Sequence, residues 1–264
     1  MDSTLRKLIK NLDSSAIAGT HVIPWACPVP VFGDLSSSRV ATLGLNPSKR
    51  EFLDGAGRKL PDAWRLPTVG SLGLRSWSEA DSRHQDVILE SCRTYFCRNP
   101  NDGWFKKLDQ VLADTKASYY CVSHKACHLD LVPFATDPVW SKLKSKHRSA
   151  LLAVAGDTLG LLLRDSPVRV LILNGGGVVR QFQKIAGTDL KKLEMPSWAL
   201  HWKPGVRKGF GYRGVVDTLS GIELGHKILV LGFSHNRQST PGVTPEVVHA
   251  IRDWIAQASE DAPR

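Results

Sequence analysis

The chain has 264 residues, 42% of them hydrophobic and 23% charged, the balance of a globular protein able to bury a large core. That composition excludes disorder, collagen and a coiled coil as the main architecture. Lys and Arg number 35 against 25 Asp and Glu, and the net charge of +10 favours a polyanionic partner such as nucleic acid.

Taken in chain order, residues 39–45 (RVATLGL) read as a buried strand, and 54–74, rich in Gly, Pro and charge, as a long loop. Residues 104–114 read as a helix with Phe105, Leu108, Val111 and Leu112 on one face. A second buried strand is expected over 126–134 (ACHLDLVPF), then a long helical stretch over 140–163. Residues 168–174 (VRVLILN) give a third strand, followed by a glycine run and a helix over 178–186. Residues 198–216 mix aromatics, glycines and bases, as a hairpin or a surface loop would. A fourth strand covers 227–233 (KILVLGF). The last helix, 244–258, opens Thr244-Pro245-Glu246: an N-cap, a proline at the first helical position and an acid in the first turn. Strands alternating with helices predict one α/β domain over 1–264, with its core at about 39–257. The expected architecture is three-layered, α/β/α, around a central, mainly parallel four-stranded sheet. No apolar run approaches the roughly 18 residues of a membrane span. Five sparse cysteines suit reduced thiols, so a cytoplasmic protein is expected.

Ligands of open α/β sheets sit at the carboxyl ends of the strands. There the chain places Asn46-Pro47-Ser48, Asp130 with Pro133-Phe134, Asn174-Gly175-Gly176-Gly177, and Ser234-His235-Asn236-Arg237. This set contains no cysteine nucleophile, no paired carboxylates and no metal-ligand cluster. It suits positioning a water and stabilising a leaving anion.

Gly44-Leu45-Asn46-Pro47-Ser48 resembles the first motif of the uracil-DNA glycosylase superfamily in its Asn-containing form, Gly-x-Asn-Pro-(Gly/Ser). Gly232-Phe233-Ser234-His235-Asn236-Arg237 is similar in position to its last motif, where a histidine opens the loop that wedges into DNA. Residues 128–134 resemble the inner strand that carries a base-reading Asn, and 171–176 the third strand. Two departures stand out. The last motif lacks His-Pro-Ser-Pro, and Asp130 replaces the usual Asn.

The resemblance implies a monomeric, cofactor-free enzyme that flips a pyrimidine out of DNA, hydrolyses its N-glycosidic bond and leaves an abasic site. Asn46 would orient the water and His235 would stabilise charge on the leaving base. Gly44, Pro47, Ser48, Phe52, Asp130 and Phe134 would form the base pocket, and Trp64 is a further stacking candidate. An ionised Asp only accepts hydrogen bonds, so Asp130 fits the N4 amino group of cytosine and repels O4 of uracil. Alternatively it turns off the pocket, to cap a helix or to pair with Lys125. Small Ser48, where the strict uracil branch has a tyrosine, leaves room on C5. Together they point to a 5-modified cytosine, of hydroxymethyl or glucosyl-hydroxymethyl type, as found in some phage DNA, and so to antiviral defence. DNA contacts are expected from Lys49, Arg50, Lys203, Arg207, Lys208, Arg213, Asn236, Arg237 and Gln238, with Lys191 and Lys192 nearby. The rival readings are a uracil or mismatched-thymine repair enzyme and a non-catalytic binder of modified DNA. Cys92-x4-Cys97 and Cys121-x5-Cys127-His128 miss the compact zinc spacings, and the glycine run lacks a full dinucleotide fingerprint, so neither metal nor cofactor is expected.

Overall fold

The computed structural model describes residues 1–61, 64–98, 102–121, 123–202, 205–236 and 238–263. Its centre is a sheet of six strands in the order β2-β1-β3-β6-β5-β4. They are β1 (Val40–Gly44), β2 (Ala126–Asp130), β3 (Val170–Asn174), β4 (Lys191–Trp202), β5 (Gly205–Leu219) and β6 (Ile222–Phe233). The four expected strands are β2, β1, β3 and β6, and they pair in parallel. All five residues of β1, β2 and β3 are buried, so these strands are mainly apolar, with Thr42, His128, Asp130 and Asn174 as buried polar exceptions.

The four-stranded expectation is corrected by β4 and β5. They form a long antiparallel hairpin that extends the sheet from β6 and makes it mixed. Their pattern is obscured because β5 alternates exposed and buried residues irregularly and carries glycines where neighbours press close. A Cβ on Gly209 would lie 2.3 Å from Trp198 Cβ, and one on Gly211 3.2 Å from the Trp254 ring.

Eight helices are present among the described residues: α1 (Asp2–Leu12), α2 (Ser82–Arg93), α3 (Tyr95–Arg98), α4 (Asp102–Asp109), α5 (Ser145–Ala155), α6 (Thr158–Arg164), α7 (Gly176–Ala186) and α8 (Pro245–Ser259). The expected long helix over 140–163 is divided, with Gly156 at φ +38° between α5 and α6. The α8 start is as expected, with the Thr244 hydroxyl accepting from the Val247 amide. Helices cover both sheet faces. Val179 of α7 packs against the bare Gly232 on one, while Trp254 of α8 and Phe105 of α4 lie on the other. One apolar core runs from Leu5 to Ala258, so the N-terminal residues belong to it.

β1 lies between β2 and β3, so the chain turns to opposite sides of β1 for its next two strands. This switch point opens a crevice at the carboxyl ends of the strands, the usual place for a ligand in such sheets.

Candidate functional site

The site grows from two neighbouring strand ends. β1 passes directly into Asn46-Pro47-Ser48, and residues 49–51 form one turn of 3-10 helix. Ser48 caps that turn, its Oγ accepting from the Arg50 amide at 3.2 Å. A cavity of about 80 Å³ lies here. Its polar lining is Asn46, Ser48, Glu51, His128 and Asp130, and its walls are Pro47, Phe32, Trp104 and Phe105.

Strand alternation brings the acid and the imidazole together. Residues two apart in a strand share a face, so His128 and Asp130 project to the same side of β2. Thr42 and Gly44 of β1 stand opposite them in register. Thr42 Oγ1 is 2.5 Å from the Tyr119 hydroxyl and 2.7 Å from His128 Nδ1, and His128 Nε2 is 3.5 Å from Asp130 Oδ1. Burial pushes the Tyr119 hydroxyl well up, so it keeps its proton and can donate to Thr42. In the arrangement in which Thr42 donates to Nδ1, the imidazole carries its proton on Nε2, toward Asp130 and the cavity. Gly44 is required for this arrangement. A Cβ there would lie 2.4 Å from Asp130 Oδ1 and 2.9 Å from His128 Nε2.

Asn46 is oriented by its amide nitrogen, which donates to the Phe134 carbonyl and to Thr136 Oγ1, both at 3.2 Å. Its amide oxygen has no hydrogen-bond partner among the described residues and can accept from a water or a ligand.

Glu51 is not among the residues expected at the site, and it alters the expected chemistry. Its side chain is 1% exposed, and the Tyr95 hydroxyl donates to Oε2 at 2.6 Å. The Arg65 guanidinium stands 4.0 Å away. Burial, then the neighbouring Glu51 charge, raises Tyr95 and keeps it a donor. The cavity therefore holds two carboxylates, Glu51 and Asp130, where the strand ends alone suggest no pair.

Of the expected pocket residues, the fold brings together Asn46, Pro47, Ser48 and Asp130, with Gly44 behind them. Asp130 faces the cavity rather than Lys125, whose partner is Asp34 at 3.1 Å. Phe52 and Phe134 are corrections. Both are core residues, Phe52 set edge-on to Trp25 at 6.1 Å, and only the Phe134 carbonyl reaches Asn46. Trp64 is exposed and lines a different surface hollow with Arg50 and Leu60. Phe32, Trp104 and Phe105 supply the aromatic walls instead. The place of His128, two residues before Asp130, is the signal that could have found it. Glu51 carries no signal beyond lying one turn after Asn46.

His235 is buried outside the cavity lining, with Nε2 2.9 Å from the Trp198 carbonyl. Burial lowers its pKa and the nearby Arg207 adds to the effect, against the Trp198 carbonyl, which raises it, and the ring N–H is spent on that carbonyl. Asn236 and Gln238 shape the loop. Asn236 Nδ2 donates to the Asn174 carbonyl, and its Oδ1 accepts from the Gln238 and Ser239 amides. Gln238 Oε1 accepts from Asn174 Nδ2, and its Nε2 donates to the carbonyl of Trp104 at 3.5 Å. The loop after β6 is thus tied to the pocket wall.

The expected cations divide by position. Arg50 is exposed beside the pocket, and Lys49 pairs with Asp137 at 2.7 Å. Phe233, the last residue of β6, pairs with Gly211, so Arg207 and Lys208 extend past it on the pocket end of the sheet. Lys208 pairs with Glu194, and Lys192 lies over the Phe210 ring. Arg213 and Lys191 pair at the open end of the hairpin, where Arg213 also bonds Asp261 at 2.8 Å. Lys203 and Arg237 lie outside the described residues.

Among the described residues no group of three His, Cys, Asp or Glu side chains is placed to hold a metal ion, and no helix is long and apolar enough to cross a membrane. No protein-family model matches this chain, and no curated protein matches it.

Proposed function

We propose that the protein is a DNA glycosylase that hydrolyses the N-glycosidic bond of a pyrimidine flipped out of DNA and leaves an abasic site. The substrate in this reading is a 5-modified cytosine of hydroxymethyl or glucosyl-hydroxymethyl type, and the setting is defence against phage DNA that carries such bases. One observation carries it: Asn46, with an amide oxygen open to a water, shares a small aromatic-walled cavity with a buried imidazole–carboxylate pair.

The pair suits the edge of cytosine. Asp130 accepts from the N4 amino group, and the Nε2–H of His128 donates to N3. Uracil offers the reverse pattern, with O4 an acceptor and N3 a donor. Phe32, Trp104 and Phe105 enclose the ring in apolar surface, which strengthens these polar contacts. Asn46 cannot take a proton at neutral pH, so it aligns the water against the sugar carbon while the bond to the base breaks. The donor that steadies the departing base is assigned to His128, because the N–H of His235 is already held by the Trp198 carbonyl. Arg50, Arg207 and Lys208, at the pocket end of the molecule, suit the phosphates on either side of a flipped nucleotide.

A base-release assay tests the reading. Duplexes and phage DNAs carrying uracil, mismatched thymine, cytosine, 5-methylcytosine, hydroxymethylcytosine and glucosylated hydroxymethylcytosine are incubated with the protein, then heated in alkali to cut abasic sites. Release from a modified cytosine is expected, with loss of release but not of DNA binding in Asn46→Ala. Release of uracil alone would make this a repair enzyme and remove Asp130 as the base reader. Binding of modified DNA without release of any base would make it a binding module.

A further inference from the structure

We infer that the amino end of the sheet carries a second binding site, which takes an organic phosphate of mononucleotide size. The site is independent of the glycosylase reading. It lies at the opposite end of β1 from the crevice, about 16 Å away along five residues of strand.

Three neighbouring strands are each preceded by a cation. Lys125 precedes β2, Arg39 precedes β1 and Arg169 lies just before β3. Val40 pairs with both Ala126 and Val170, so the three cations stand side by side in one register. The Arg169 amide donates to the Arg39 carbonyl at 2.8 Å, which fixes the two arginines as neighbours. Like charges at adjacent strand positions repel, and such a row is unfavourable until an anion joins it. Lys125 has Asp34 at 3.1 Å. Arg39 and Arg169 have no carboxylate partner among the described residues, and the Arg169 guanidinium donates to the Val168 carbonyl at 3.1 Å. Its charge is felt by His226, whose pKa is lowered first by burial and then by Arg169.

These cations border a cavity of about 360 Å³, a size usual for small-molecule sites. Lys116, held at φ +62°, adds a fourth. No Asp or Glu is in the lining. The nearby Asp114 and Asp261 are taken by Arg252 and Arg213, and Glu260 lies outside the lining. The bed of the cavity is apolar: Val40, Ala117 and Val170 are buried there, beside Ala262 and Pro263.

This combination selects the ligand. A guanidinium matches phosphate oxygens in a planar, two-pronged way, and Lys116 supplies a point charge. A phosphate monoester carries up to two negative charges, which answers a row of cations better than a single carboxylate does. Inorganic phosphate would leave the apolar bed against water, whereas the carbon body of an ester covers it. A nucleoside is a body of suitable size, and its flat base can stack on a guanidinium plane. The ligand has two possible sources, a free nucleotide or the phosphorylated end of a nucleic-acid strand.

Titration calorimetry on the full chain tests this with adenosine monophosphate, adenosine, glucose 6-phosphate and inorganic phosphate. The purine is too large for the small cavity beside Asn46, so it separates the two sites. Adenosine monophosphate is expected to bind at one site, at least about 10-fold tighter than each of the other three probes. Arg39→Gln should weaken it by about 10-fold, and Lys116→Gln, on an exposed turn, should do the same and serves if Arg39→Gln does not fold. Asn46→Ala, in the crevice, should leave it unchanged. A 5′-phosphorylated oligonucleotide set against its 5′-hydroxyl twin then gives the source: a gain of about 10-fold from the phosphate identifies a strand end, and no gain a free nucleotide. No binding of adenosine monophosphate overturns the inference. So does equal affinity for inorganic phosphate, which would make the row of cations an unspecific charge patch. Binding lost in Asn46→Ala but kept in Arg39→Gln and Lys116→Gln also overturns it, by placing the nucleotide in the crevice.

Discussion

Adding a single methyl group at Gly44 tests the geometry of the site more directly than removing any of its polar residues. The Cβ of Gly44→Ala would lie 2.4 Å from Asp130 Oδ1, whereas ordinary contact begins at 3.4 Å. The carboxylate must therefore retreat by about 1 Å, into a floor already filled by His128 and the aromatic walls. The backbone cannot yield, because β1 is hydrogen-bonded on both sides and its five residues are all buried. Overpacking of this kind costs about 1–3 kcal/mol. At roughly 2–4 °C per kcal/mol for a chain near this size, the melting temperature should drop by about 2–12 °C. A 1 Å displacement of a positioned group costs about 100-fold in rate, and base release should fall by that order. Thermal denaturation followed by circular dichroism gives the first quantity and the base-release assay the second. Gly70→Ala is the control, since its Cβ meets only Thr68 Oγ1 at 3.8 Å and should change neither. A Gly44→Ala protein with wild-type melting and full activity would refute the register that sets Gly44 against Asp130.

Three further outcomes are expected. At pH 8, a thiol reagent should label Cys97 and Cys121 quickly and the other three cysteines only after unfolding, because Cys27, Cys92 and Cys127 are buried and burial raises all three, Cys92 and Cys127 to about 12; more than two fast thiols in the native protein would contradict that burial. His226 and His235 have folded-state pKa values lowered mainly by burial, so the stability they carry is complete above the unfolded value of about 6.5 and is lost as pH falls below it. Urea midpoints should accordingly drop between pH 7.5 and 5.5, and drop less in His235→Gln; an equal drop in that variant would count against the assignment. Finally, Arg50→Ala should flatten the dependence of log K on log salt for duplex DNA by about 0.9, while Arg213→Ala, whose guanidinium is already paired with Asp261, should leave it unchanged; equal effects would show that Arg50 makes no phosphate contact of its own.

The parallel half of the sheet is legible in the sequence alone, because strands buried on both faces are mainly apolar, as the four runs containing Val40, Ala126, Val170 and Leu229 are, with His128 and Asp130 the polar exceptions in the second. The carboxyl ends of those runs are enough to place Asn46 and Asp130 in one site. The α8 start is equally plain, since caps act through neighbours in the chain. The spacing of Leu5, Leu8, Ile9 and Leu12 in α1 is a helical signal of the same local type. Other features depend on partners far along the chain. Within the segment expected as a hairpin or a loop, Gly209 lies against Trp198, but Gly211 lies against Trp254 of α8, a contact that no short window of consecutive residues contains. Phe52 and Phe134 lie next to the motifs yet pack into the core, while Phe32 and Trp104, from distant segments, wall the pocket. His235 sits at the expected strand end, but a carbonyl 37 residues earlier in the chain holds its N–H. Glu51 lines the cavity with its side chain buried, held by partners distant in the chain such as Tyr95, 44 residues away. Local sequence dictates which segments become strands and helices and which end of the sheet is open; the direction each side chain takes at that end is decided by long-range packing and by which buried polar group finds a partner.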